Sequence, residues 1–233
     1  MISFKGKHFP KDIILLIVRW YVSYALSYRD IEEIMLERGT KIDHSTLNRW
    51  VIEYAPLLEH EFRKNHKKKT GSSWRMDETY IKVKGKWNYL YRAVDKEGNT
   101  IDFMLSKNRD EAAAKAFFTK AIGSSGIPEK ITIDKSGANK AGIEAINLQL
   151  IVLSLLGCSL IQIEIRQIKY LNNIVEQDHR GVKRITKPMM GFKAFHSAEA
   201  TLAGIELYRM LKKHQHVAAG NSTAFEQFYA LAA

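Results

Sequence analysis

Three carboxylates, Asp77, Asp134 and Glu176, fall where the surrounding residue pattern assigns them to three different elements. Asp77 stands inside the alternating stretch Met76-Asp77-Glu78-Thr79-Tyr80 and shares its parity with Ile81 and Val83. It therefore faces an apolar side, where an unpaired charge is costly. Asp134 follows Ile131-Thr132-Ile133 and so marks the C-terminal edge of a short strand, where open sheets place ligands. Glu176 lies in a helical stretch after Asn172-Asn173. His179, Arg180 and Lys183 share its face at i+3, i+4 and i+7, while Gln177 and Asp178 point elsewhere. If the two strands are neighbours, the aspartates lie side by side, and the helix can bring Glu176 within metal-sharing distance. Hard oxygen ligands of this kind suit Mg²⁺ or Mn²⁺, and two ions about 3.5–4 Å apart can clamp the attacking and leaving oxygens of a phosphodiester. Taken singly, each carboxylate has an ordinary reading as a salt-bridge partner, a loop cap or a solvated helix residue. The three together, in this order, are what specify chemistry.

The elements that must position them follow from the periodicity. Trp74 to Val83 reads as a strand, Lys84-Gly85-Lys86 as a turn, and Trp87 to Val94 as a second strand with Trp87, Tyr89, Tyr91 and Ala93 on one face. Asp95 to Asn99 makes another turn before a third strand, Thr100 to Ser106, so the three strands form an antiparallel meander. Asp110 to Ile122 is a helix, Gly123-Ser124-Ser125-Gly126 ends it, and Lys130 to Asp134 is a short buried strand. Three strands, a helix and a strand is the order of a ribonuclease-H-like fold, not of a doubly wound sheet. Ala138 to Gln149 reads as helical, Leu150 to Ile168 as mostly extended, Asn173 to Thr186 as the glutamate helix and Ala198 to Lys213 as a closing helix.

Residues 12 to 62 read as helices, the first starting at Pro10-Lys11-Asp12 with Asp12 as its cap. A short helix over Ser27 to Arg38 stops at Gly39, and Asp43-His44-Ser45-Thr46 opens the next. A helix-turn-helix needs this arrangement, because its second helix pushes short polar side chains and an Arg into the major groove. His44, Ser45, Thr46, Asn48 and Arg49 are the candidates for base and phosphate contact, with Arg29 near the DNA backbone. A plain helical hairpin whose Ser and Thr only cap is the competing reading. The basic run Arg63 to Lys69 leads into Thr70-Gly71-Ser72-Ser73 and reads as a linker, with Lys67, Lys68 and Lys69 as phosphate contacts. The chain thus divides into a helix-turn-helix region over 1–69, a catalytic domain over 70–215 and a tail of unknown role over 216–233.

Composition agrees. Thirty-six Lys and Arg against 25 Asp and Glu leave a formal charge of +11, which suits a polyanionic partner such as DNA or RNA. The single cysteine, Cys158, excludes an internal disulfide and a Cys-rich zinc site. Met1 to Asp12 lacks the apolar core of a signal peptide, and Leu150 to Ile163 is too short and interrupted to span a bilayer, so no membrane partner is expected. A cytoplasmic, nucleoid-associated bacterial protein fits these features. The surplus apolar surface of Leu150 to Ile163 points to a homodimer contact.

Specific motifs add a resemblance. Phe4-Lys5-Gly6-Lys7-His8-Phe9, Asp12-Ile13-Ile14-Leu15, Val18-Arg19-Trp20-Tyr21, Ser27-Tyr28-Arg29, Asp43-His44-Ser45-Thr46 and Arg49-Trp50 resemble the amino-terminal half of IS6-family insertion-sequence transposases. The likeness continues through Met76-Asp77-Glu78-Thr79-Tyr80, Tyr89 to Asp95, Asp134-Lys135, Arg166 to Tyr170, Asn172 to His179, Lys183-Arg184 and Gly191-Phe192-Lys193. It implies a DDE transposase with a ribonuclease-H-like catalytic domain, acting on double-stranded DNA at element ends and target. Asp77, Asp134 and Glu176 would be the triad holding two Mg²⁺ (or Mn²⁺) ions, and Lys183 the basic residue further along the glutamate helix. His179 and Arg184 would join Lys183 near phosphates. Two departures stand out: the Asp134-to-Glu176 interval is longer than usual for the family, and Ile165 and Leu171 replace a common His and Arg. A catalytically inactive copy acting as a DNA-binding repressor is therefore the main rival, and a general nuclease of the same fold a second.

Overall fold

The computed structural model of the chain describes residues 2–156, 161–218 and 220–233. Its contacts gather into two compact units, one of Met1–Lys68, Val83–Gly85 and Gly181–Ala233, the other of Lys69–Lys82 and Lys86–Arg180. Among the described residues, no helix is long and apolar enough to cross a membrane.

The first unit is helical. α1 (Lys11–Ser23) buries Ile14, Leu15, Ile17, Val18, Tyr21 and Val22 at helical spacing. Its N-cap is Pro10, which makes no side-chain cap bond; Asp12 lies one step inside, in the first turn, where the helix dipole favours a carboxylate. Asp12 is thus not the cap that the sequence suggests. α2 (Tyr28–Glu37) starts with a reciprocal capping box: Asp30 N–H donates to Ser27 Oγ at 3.1 Å, and Ser27 N–H donates to Asp30 Oδ2 at 2.7 Å. α3 (His44–Glu61) is capped by Asp43, which accepts from Ser45 N–H at 2.8 Å. Phe62–His66 prolongs α3 as a π-helical turn, so the basic run is not the open linker that its composition implies. Past it, Lys67 bridges to His216, and Lys68 N–H donates to Gln215 O at 2.8 Å. α7 (Phe195–Lys212) is the hub, packing on α1, α3 and α8 (Ala224–Ala230) with nearly every residue from Ala198 to Leu211 buried. A Cβ at Gly204 would sit 2.6 Å from Val22 Cγ1 and 2.9 Å from Ala55 Cβ, so three helices close on a bare backbone. The residues beyond 216 end in α8, inside this helical unit.

The second unit is a mixed sheet with helices. β1 (Ser73–Val83), β2 (Lys86–Val94), β3 (Thr100–Ser106), β4 (Lys130–Thr132) and β5 (Glu164–Arg166) form one sheet in the order β3-β2-β1-β4-β5. β2 and β3 run antiparallel, while β4 runs parallel to both β1 and β5. Lys84 and Gly85, which join β1 to β2, have φ of 49° and 76°, the paired left-handed conformation that matches strand twist in a two-residue hairpin. α4 (Glu111–Ser125) and α5 (Gly137–Leu155) pack together, and the core holds Trp74, Met76, Tyr91, Phe117, Phe118, Ile131, Ile133 and Ile143. Burial on β1 changes parity along the strand: Trp74 and Met76 are buried near its start, Thr79, Ile81 and Val83 near its end. Asp77 stands at that change.

α5 corrects the expectation that the chain is extended from Leu150. The helix continues to Leu155, because a run of Leu, Ile and Val without a breaker is compatible with either state and Leu is a strong helix former. Residues 157–160, including Cys158, lie outside the described residues. Asn147 then clamps the approach to β5, its side chain donating to Ile163 O and accepting from Ile163 N–H, each at 2.9 Å. α6 (Asn173–Thr186) follows a 3₁₀ turn over Lys169–Asn172.

Candidate active site

The register of β1 on β4 sets the geometry. Ser73 pairs with Lys130, Trp74 with Ile131 and Arg75 with Thr132. The same offset carried along both strands brings Asp77 level with Asp134, just past the last paired residues. Asp134 is therefore beyond the end of β4, not its last residue. It turns the chain by accepting from Ser136 N–H at 3.0 Å, while Gln167 Nε2 donates to its backbone oxygen at 3.4 Å.

Glu176 comes from α6, and two contacts within the same unit fix the start of that helix. Asn172 Nδ2 donates to Met76 O at 3.2 Å, one residue before Asp77. Arg92, fully buried on β2, pairs with Asp178 at 2.5 Å. Asp178 thus points away from the glutamate face, as its position in the helix requires, and onto the sheet. The α6 faces differ from expectation in one respect. Val175, His179 and Val182 form the buried stripe, whereas Glu176, Arg180, Lys183 and Arg184 are exposed. His179 is buried with Nδ1 3.7 Å from Asp77 Oδ2, so it faces the carboxylate cluster instead of sharing an open surface with Lys183.

The electrostatics show convergence. Burial, then the charge of Glu78 and those of Asp134 and Glu176, push the Asp77 carboxyl up from 3.8 to about 7, against one backbone hydrogen bond. A carboxyl raised by burial and by neighbouring carboxylates in this way is relieved by a cation, and an all-oxygen donor set of this kind fits a hard divalent ion. Two residues here escape a reading by sequence: Glu78, adjacent to Asp77, and Arg109, whose Nη2 lies 3.3 Å from Glu78 Oε2 and 3.4 Å from Asp134 Oδ2. Arg92 and Asp178 escape it too. Glu78 and Arg92 are charged residues inside strands, Asp178 lies on a helix and Arg109 in a loop, and in none of these settings does periodicity signal the partner.

The helix-turn-helix candidates lie in the other unit. Arg29, His44, Ser45 and Arg49 are exposed, Thr46 and Asn48 half-buried, and Lys68 is exposed at the unit's edge; exposed Lys69 and half-buried Lys67 flank it in sequence. Arg49 Nη2 donates to Thr46 Oγ1 at 2.8 Å, and His44 Nδ1 lies 3.1 Å from Glu32 Oε2. A groove of about 580 Å³ is lined by His44, Ser45 and Asn48 together with Met190, Phe192 and Lys193.

The DDE domain family matches residues 71–215, and the Transposase IS66 family matches residues 9–128. The chain is 44% identical over 214 residues to the transposase for insertion sequence-like element IS431mec of Staphylococcus aureus, covering 91% of this chain and 90% of that relative. The transposase for insertion sequence element IS257 in transposon Tn4003, also from Staphylococcus aureus, matches with the same identity and coverage. The HTLV-2 integrase catalytic core domain in complex with magnesium superposes with a TM-score of 0.45 and 18% identity over 69% of this chain and 97% of that one. The matched DDE domain and the near full-length likeness to these relatives together define a DDE transposase built on the five-stranded mixed sheet described above. Near full-length identity decides between the matching families: the chain belongs to the IS6 family of insertion-sequence transposases.

Proposed function

We propose that this transposase binds the terminal inverted repeats of its element through the helix-turn-helix and catalyses DNA cleavage and strand transfer with Asp77, Asp134 and Glu176. The observation that carries this reading is the β1–β4 register, whose offset levels Asp77 on β1 with Asp134 just past the end of β4, together with the Glu176 charge felt at Asp77. The three carboxylates would hold two Mg²⁺ or Mn²⁺ ions, which polarise the phosphate and lower the cost of a charged oxygen nucleophile. The protein supplies no covalent nucleophile. In cleavage, water oxygen bonds to phosphorus, the bond from phosphorus to the 3′-oxygen breaks, and that oxygen takes up a proton. In joining, the freed 3′-hydroxyl oxygen bonds to a target phosphorus and gives up its proton, the bond from that phosphorus to a target 3′-oxygen breaks, and the released oxygen takes up a proton. The residues' task is positioning and charge neutralisation.

Lys183 and Arg184, both exposed, would meet phosphates beyond the reacting one, and Arg29, Lys67, Lys68 and Lys69 the flanking DNA backbone. Asn48 and Arg49 would read bases, with His44, Ser45 and Thr46 placing the helix. His179, being buried against Asp77, would orient a metal ligand rather than touch DNA. A homodimer fits an enzyme that handles two element ends, and Leu148, Val152, Leu153 and Leu155, all about half exposed or more on α5, offer it an apolar face.

Strand transfer with an element-end duplex and Mg²⁺ tests the reading. The wild type should join ends to target, and Asp77→Asn, Asp134→Asn and Glu176→Gln should each abolish joining while still shifting end DNA. A protein that binds ends without joining them would be a repressor. One that cuts without joining or end preference would be a nuclease.

A further inference from the structure

A fourth carboxylate and an arginine complete the corner of the sheet that holds the triad. The Glu78 side chain is 3% exposed, and its two oxygens have unequal surroundings. Oε2 lies 3.3 Å from Arg109 Nη2, while Oε1 is buried without a hydrogen-bond partner among the described residues. Leaving a buried carboxylate oxygen unmatched costs free energy, and such groups persist where a ligand or a function uses them.

Arg109 is itself firmly placed. It precedes Asp110, the N-cap of α4, which accepts from Ala113 N–H at 2.8 Å, so the backbone at the start of the helix is fixed. The guanidinium spans from Glu78 to Asp134, 3.4 Å away, and its side chain stays 36% exposed. One nitrogen serves both carboxylates. The remaining donors of the fork are available to an oxygen anion at the open side of the cluster.

We propose that Arg109 is a catalytic residue that holds a non-bridging oxygen of the reacting phosphate, and that Glu78 is the positioning residue that aims it. The inference rests on the triad reading above. Negative charge gathers on the non-bridging oxygens during phosphoryl transfer, and a planar guanidinium fixed beside them is complementary to that state. Glu78 carries the charge that keeps Arg109 in the corner once Asp134 is engaged elsewhere. Without Glu78 the guanidinium would be free to turn to solvent. A lysine could not take its place, because a single ammonium on a flexible stem cannot hold Glu78 and present a fork to phosphate together.

The test uses the full chain and an element-end duplex with its 3′ end already exposed, joined to target DNA that carries either a normal phosphate or a methylphosphonate at the point of attack. Arg109→Gln and Arg109→Lys should each slow joining to the normal target by about 10²–10³-fold, the usual loss on removing one anion-stabilising donor. Their end-DNA binding should be unchanged. Mn²⁺ affinity, read by electron paramagnetic resonance, should be equal or tighter, since a cation has left a carboxylate cluster. A merely structural role would weaken metal binding and joining together. On the methylphosphonate target, whose charge is gone, the variants should lose far less relative to wild type. Glu78→Gln should slow joining in the wild-type background and add little to Arg109→Gln. Near-normal joining by Arg109→Gln overturns the proposal, as does weakened Mn²⁺ binding. If Asp77→Asn also joins normally, it is the triad reading that has failed, and the proposal with it.

Discussion

Asp77→Asn should make the metal-free protein more stable, by an amount that depends on pH in a definite direction. The folded-state carboxyl titrates at about 7 against an ordinary 3.8, held up by burial first and then by Glu78, Asp134 and Glu176. A group raised on folding contributes stability that is full below its unfolded value and is lost as pH rises through the folded one. The wild type should therefore weaken from pH 4 upward and level off above about pH 7. The whole span corresponds to roughly 4 kcal/mol, of which about 3 develops between pH 5 and 8. The side chain is 20% exposed, so solvent relieves part of the cost and these figures are ceilings. For a chain of this size, 3 kcal/mol is roughly 6–12 °C in Tm. Thermal melts in chelator should show the variant gaining on the wild type by several degrees at pH 8 and by much less at pH 5. Mg²⁺ at pH 8 should then raise the wild type selectively, because the neutral amide has lost the charge that the ion balances. A gap that does not change with pH, or a wild type as stable as the variant in chelator at pH 8, would refute the reasoning.

Arg92→Leu removes a fully buried guanidinium from its ion pair with Asp178, itself mostly buried; urea denaturation should show a loss of about 3–5 kcal/mol, the usual cost of breaking a buried pair on one side. Gly204→Ala pushes a methyl into Val22 and Ala55 at 2.6 and 2.9 Å; it should cost about 1–3 kcal/mol of helical-unit stability by denaturant melt, with the strand-transfer rate of the folded fraction unchanged. Residues 1–69 expressed alone should lack stable helix by circular dichroism, because α1 and α3 bury their apolar stripes on α7. The same residues with 181–233 supplied in trans should regain it.

Most of the elements that carry the candidate site were legible in the sequence, and the parts that were not have a common cause. Strand parity, apolar periodicity and turn residues are local, and they found β1, β2, β3, α2, α3 and α6 close to their observed bounds. The offset that levels Asp77 with Asp134 is a pairing property, so the sequence could only state it as a condition. Burial on β1 exchanges faces between Met76 and Thr79, which no fixed parity rule anticipates. The run from Leu150 onward misleads because apolar continuity carries no period. Phe62–His66 misleads for the opposite reason: its basic residues look solvated, yet Phe62 at its start is completely buried and carries the helix on. The dependence of residues 1–68 on residues 181–233 is a contact over the greatest distance in the chain, and nothing in either segment announces it.

The anchors around the proposed triad explain how such a cluster can exist in a stable fold. Gathering Asp77, Glu78, Asp134 and Glu176 raises the energy of the apo protein, so the elements that carry them must be held by interactions outside the cluster. Each has one. α6 is tied to the sheet by Arg92–Asp178 and by Asn172 to Met76 O; the approach to β5 is tied to α5 by Asn147; the Asp134 turn is tied by its own side chain to Ser136. None of these uses a triad oxygen that a metal would need except the last, where Oδ1 serves the turn and Oδ2 stays with Arg109. The repulsion is thereby confined to groups that a cation can satisfy. The scaffold absorbs the strain while engaging both oxygens of Asp134, and on the proposed reading its relief is available to the binding of metal and DNA.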